Sequence, residues 1–103
     1  MLEPGPDRIT LDECYKKSDA IISRRIAGEA VLVPLRRRSA DLDAIYALNE
    51  TAAAAWEALD GTRTLQEVLE RILAEFEVDA ATAEDDLLEL IAQLRELGAV
   101  ERV

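Results

Sequence analysis

The sequence predicts an α+β domain of winged helix-turn-helix outline, a three-stranded antiparallel sheet followed by three α-helices. Three observations lead there. Apolar residues alternate on both sides of Ala27-Gly28, which is strand periodicity around a tight turn. From Asn49 onward the apolar spacing changes to that of helices, and each helical stretch opens on a residue suited to cap it. At 103 residues the chain fits one domain, able to bury about 60 to 70% of the surface of its unfolded form. Residues 20–103 are expected to form that domain, with residues 1–19 an N-terminal tail or short helix.

Met1 to Asp7, with Pro4, Gly5 and Pro6, is too dense in helix breakers to join an element. Thr10-Leu11-Asp12-Glu13 has capping-box spacing and predicts at most two helical turns before Ser18-Asp19. Cys14 reads as a small, partly buried side chain, since no histidine is present to activate a thiol. Ala20 to Leu35 predicts a hairpin turning at Ala27-Gly28, with Pro34 confined to a strand end or an edge because it has no amide to donate. Arg36-Arg37-Arg38 opens a polar loop that runs to Asp43, and Ile45 to Leu48 is a short third strand.

Asn49 caps the first helix, in which Ala52 to Ala55 supply propensity and Trp56 and Leu59 supply bulk. Asp60-Gly61 is expected to stop it. Thr64-Leu65-Gln66-Glu67 is a second capping box. The helix it opens places Leu65, Val68, Leu69, Ile72, Leu73 and Phe76 within an arc of about 140°, a core-facing stripe. Thr82 is expected to cap the third helix, with Glu84, Asp85 and Asp86 in its first turn and Gly98 at its end. Its core stripe is Leu87, Leu90, Ile91, Leu94 and Leu97. Leu88 and Ala92 fall outside that stripe and, with Ile91 and Arg95, widen the apolar arc to about 220°, more than one core face needs. Ala99 to Val103 returns as a short strand.

Charge and composition exclude several functions. The first 48 residues carry eight basic and eight acidic side chains and the remainder carry four and fourteen, so the net charge of −10 belongs to the helical half. Between Ala83 and Leu97 the third helix has Arg95 alone against Glu84, Asp85, Asp86, Glu89 and Glu96, a poor match for phosphate, and no nucleic acid or anionic membrane partner is expected. With a single cysteine and no histidine, the chain lacks a cysteine or histidine zinc site, a nucleophile-histidine pair and a disulfide framework. No catalytic residues, no metal and no cofactor are expected. Without a spanning segment or a signal peptide, a cytoplasmic location is expected. A binding module remains: an exposed third-strand edge beside a helix with spare apolar surface is suited to adding an extended peptide as another strand. A homodimer formed through that edge, or a regulatory winged-helix protein without DNA binding, are the competing readings.

Leu48-Asn49-Glu50-Thr51-Ala52, then Trp56, then Leu59-Asp60-Gly61-Thr62-Arg63-Thr64-Leu65 resembles the signature of the PqqD-like family. The resemblance runs from about Ile21 to Val103. Such domains are also called recognition elements for ribosomally made, post-translationally modified peptides. The resemblance implies a non-catalytic adaptor, or peptide chaperone, that binds the leader of a precursor peptide and presents it to a modifying enzyme, often a radical S-adenosylmethionine protein. It implies that the leader adds to Ala44, Ile45, Tyr46, Ala47 and Leu48 and packs on Glu84, Leu88, Ile91, Ala92 and Arg95. Members that make pyrroloquinoline quinone resemble one another in a proline-glutamate-glycine segment before that strand, and this chain lacks it. A modified peptide of another kind, such as a lasso peptide or a radical-enzyme product, is therefore expected. Both a monomer and a homodimer are compatible with the sequence.

Overall fold

Alternation of side chains through Ile21–Ile26 (β2) and Glu29–Pro34 (β3) produces the expected hairpin, here in a computed structural model that describes residues 9–27, 29–34 and 46–103. Ile26 faces Glu29 across the turn, and Ala27 takes a φ of 53°, the left-handed conformation that a two-residue hairpin loop demands. Pro34 ends β3 opposite Ile21, where no further ladder amide is needed. Tyr46–Leu48 (β4) pairs with β3 through Ala30↔Leu48, Val31↔Ala47 and Leu32↔Tyr46, giving a sheet ordered β2-β3-β4. The α+β class, with three antiparallel strands in a sheet and three helices, stands. Arg36–Arg38, the expected N-terminal tail to Asp7, Gly28 and the expected strand residues Ala44 and Ile45 lie outside the described residues.

A second sheet joins it. Cys14–Lys17 (β1) lies between Asp60–Thr64 (β5) and Val100–Arg102 (β6) in the order β5-β1-β6, again antiparallel. Two expectations give way here. Thr10 to Glu13 forms a turn, not a helix: the Thr10 hydroxyl bonds the Asp12 carboxylate two residues on, and the Glu13 amide donates to Thr10 O at 3.2 Å. Polar side chains of this kind compete with helical hydrogen bonding. Gly61 does not stop the first helix. Its φ of 84° falls inside β5, where the register slips between Cys14↔Thr64 and Lys16↔Asp60, so the glycine supports a bulge.

The first helix, Glu50–Ala58 (α1), is capped by Asn49, whose side chain accepts from the Ala52 amide at 2.8 Å, and ends as Leu59 turns extended. Leu65–Glu75 (α2) has the full capping box: Glu67 N donates to Thr64 Oγ1, and Thr64 N to the Glu67 carboxylate. Ala80–Leu97 (α3) starts earlier than Thr82 implies. Asp79 is the cap and accepts from the Thr82 amide at 3.1 Å, which moves Glu84, Asp85 and Asp86 into the second turn. Gly98 closes α3 with a φ of 78°. The core gathers Tyr15, Leu32, Leu48, Trp56, Leu59, Leu65, Val68, Ile91 and Leu94 between the two sheets and the helices.

Candidate functional site

Two features of the described residues remain open. In the order β2-β3-β4 the strand β4 is an edge, hydrogen-bonded to β3 on one side only, and Ala47 at its centre is exposed. Beside it lies a groove of about 340 Å³. Sequence arranges its floor: Ala52 and Ala55 of α1 are small enough to leave space, and Ala83, Leu87 and Leu90 of α3, with Ile72 of α2, line the depth. Asn49 and Thr51 edge it at the start of α1, Val78 closes it near the α2–α3 turn, and Thr82, Asp86, Glu89 and Gln93 line its far wall. The last four recur along α3 at spacings of three and four, so they form one flank of the helix. Tyr46 of β4 donates its hydroxyl hydrogen bond to Gln93 Oε1, which fixes this flank against the strand.

The sequence-derived site is only partly assembled. Tyr46, Ala47 and Leu48 are in place on the edge strand, although Leu48 points into the core at 1% exposure. Ala44 and Ile45 lie outside the described residues. Leu88, Ile91 and Arg95 sit on the other flank of α3: at 100° per residue Leu88 is about 140° from Gln93. Ile91 is fully buried, and Leu88 is half-buried against the core. Arg95 lies close enough to Tyr15 of β1 for its charge to act on the phenol. Glu84 belongs to this flank as well, while Ala92 is exposed between the two. Leu88 and Ile91 thus pack into the core and Arg95 reaches toward Tyr15 of β1, a strand the sequence does not announce, while Ala92 stays exposed. The groove residues Ala52, Ala55, Thr82, Asp86, Glu89 and Gln93 are the ones sequence reasoning missed. The run Ala52 to Ala55 was their available signal, because small side chains leave room for an approaching element.

The residues with shifted ionisation, Tyr15, Lys17 and Asp60, are not among those that line the groove. Burial, then the hydrogen bond to Glu13 at 2.8 Å and its charge, push Tyr15 from its ordinary 10.0 up to about 12, against the pull of Arg95 and Arg102. Lys17 is lowered by burial, opposed by Asp60 and Glu57. Its ammonium sits 5.5 Å from the Trp56 ring and donates to Leu59 O at 2.9 Å. Asp60 is held below the usual carboxylate range by the backbone and side-chain hydrogen bonds of Thr62. These groups tie β1 and β5 to the end of α1. Among the described residues no group of three His, Cys, Asp or Glu is arranged to hold a metal, and no helix is long and apolar enough to cross a membrane.

Fold and groove together define a small α+β domain in which one free sheet edge and a helical layer share a cleft. The chain belongs to the PqqD family, described as coenzyme PQQ synthesis protein D, which it matches over residues 29–100. Curated relatives include the PqqA binding proteins of Xanthomonas oryzae pv. oryzae strains PXO99A and MAFF 311018. Each is 38% identical over 52 residues, covering 50% of this chain and 56% of the relative. The chain therefore spans about half the length of the curated relatives it matches. Among solved structures, TbiB1 in complex with the TbiA(beta) leader peptide superposes with a TM-score of 0.69 at 29% identity, over 84% of this chain and 94% of that one.

Proposed function

We propose that this chain is a non-catalytic adaptor that captures the leader of a ribosomally made precursor peptide by strand addition and presents it to a modifying enzyme. The observation that carries the reading is the free edge of β4 opening onto the groove along α3. An extended peptide added to β4 would pair its backbone with the edge amides and carbonyls, while alternate side chains reach the groove. Membership of the PqqD family, the relatives' designation as PqqA binding proteins and the leader-peptide complex of TbiB1 support the same reading. The absence of histidine from the sequence supports an adaptor over a hydrolase. A radical S-adenosylmethionine protein is the class of modifying enzyme that the family resemblance favours. The relatives' name favours a second reading, in which the peptide is the PqqA precursor itself. The missing proline-glutamate-glycine segment argues for a different precursor.

Titration of the isotope-labelled chain with synthetic leaders tests the reading, using PqqA and the precursor encoded beside this chain's gene. Amide shifts are expected at Tyr46, Ala47 and Leu48 and along Thr82 to Gln93. Ala52→Phe fills the groove from α1 and should weaken binding about ten-fold or more, with the melting temperature little changed. Full affinity in that variant would place the site elsewhere. Sedimentation distinguishes the competing assembly reading, which requires a tight dimer whose β4 edges are buried.

A further inference from the structure

We infer that the groove reads charge as well as shape: the bound segment carries a lysine or arginine two residues from an apolar anchor, and Asp86 and Glu89 select it. This inference rests on the peptide-binding reading above and names the chemistry of the peptide. The floor offered by Ala52, Ala55, Leu87 and Leu90 is apolar, whereas the lining contains two carboxylates and, among the described residues, no lysine or arginine. Asp86 and Glu89 are exposed, and neither takes part in an ion pair among the described residues. They stand three residues apart on one face of α3, where like charges repel each other. A cation brought between them relieves that repulsion.

Strand geometry sets the spacing of the recognised residues. In a segment paired with β4, successive side chains alternate between faces, so residues i and i+2 point to the same side about 6.5 to 7 Å apart. One of them can enter the apolar floor while the other meets the acidic wall. A peptide with an acidic residue at the second position would bring a third carboxylate to the same wall. The groove thus discriminates by repulsion as well as by attraction.

A displayed library of random short peptides, panned in parallel against the wild-type chain and variants, tests the inference. Wild type should enrich peptides carrying an apolar residue and a Lys or Arg two positions away, and a selected peptide should shift the Tyr46 to Leu48 amides. Asp86→Asn with Glu89→Gln should lower that peptide's affinity about five-fold at low salt and remove the basic preference. Asp86→Lys with Glu89→Lys should instead enrich acidic residues at the same position, a gain that an unfolded variant cannot show. Glu70→Lys with Glu75→Lys, which makes the same change in net charge outside the groove, should leave the wild-type preference in place. Peptides that shift β4 without a basic preference, or with one that survives Asp86→Asn/Glu89→Gln, would overturn the charge reading while leaving peptide capture intact. If no peptide shifts β4, the underlying peptide-binding reading fails as well.

Discussion

In the sheet β5-β1-β6 the middle strand buries Tyr15 completely, and its neighbourhood is tied in on every side. Leu65 N donates to Glu13 O, Gln66 N to Leu11 O, Ser18 N to Ala99 O and Lys17 Nζ to Leu59 O, all between 2.8 and 2.9 Å. In the sheet β2-β3-β4 burial is confined to the central strand, to Leu48 and to the partly buried Ile21 and Tyr46. Ile22 to Ile26 of β2 are exposed throughout, and β4 keeps one edge unpaired among the described residues. The same small chain thus commits one sheet to closing the fold and leaves the other available to a partner. Helix α3 stands between these uses. Its Arg95 flank approaches Tyr15 of the sheet β5-β1-β6, and its Gln93 flank is bonded to Tyr46 of the sheet β2-β3-β4.

The largest expected effect tests the closed side. Tyr15→Ala removes a fully buried ring and its bond to Glu13, and should cost about 3 to 5 kcal/mol in denaturant unfolding, as large aromatic truncations do. Ile22→Ser on the open sheet should stay within about 0.5 kcal/mol. Equal losses would erase the distinction between the sheets. A smaller effect divides the flanks of α3. Leu88→Asp places a charge against the core and should lower stability by about 1 to 3 kcal/mol, while leader affinity of the folded fraction stays unchanged. If affinity drops and stability does not, the peptide lies on the Leu88 flank instead.

The smallest effect is in the alkaline range. The unfolded chain releases the Tyr15 proton near its ordinary 10.0, and the folded chain holds it up to about 12. The folded state therefore binds more protons between these values. The Tyr15 contribution to stability is full below pH 10 and falls as pH rises through the window. Tyr15→Phe should flatten that decline in unfolding midpoints measured at successive pH values. Lys17, whose lowered value acts in the opposite direction, is common to both proteins and cancels in the comparison. An unchanged slope in Tyr15→Phe would mean that the phenol is not buried as described.

Local chemistry made much of the fold legible. The hairpin about Ala27, the caps Asn49 and Thr64, the stripe of α2 and the Gly98 stop all depend on residues within a turn or two of each other, and all are found. Strands β1 and β5 were not legible. Cys14–Lys17 and Asp60–Thr64 have weak strand patterning of their own and become strands because they pair with each other across the chain. Leu88, which helical spacing leaves outside the core stripe, packs against the core in the fold, and the groove opens on the other flank of α3.

By itself the sequence determined the helical faces, their caps, the acidic character of the helical half and the family signature around Asn49 and Gly61. These are set by side-chain periodicity and short-range hydrogen bonding, which any segment carries with it. The tertiary structure decided which flank of α3 meets β4, because a helix can turn either side of its core stripe toward a neighbour. That choice depends on what occupies the opposite side. Here Arg95 on that side acts on Tyr15 of β1, a strand held by its pairing with β5 and β6.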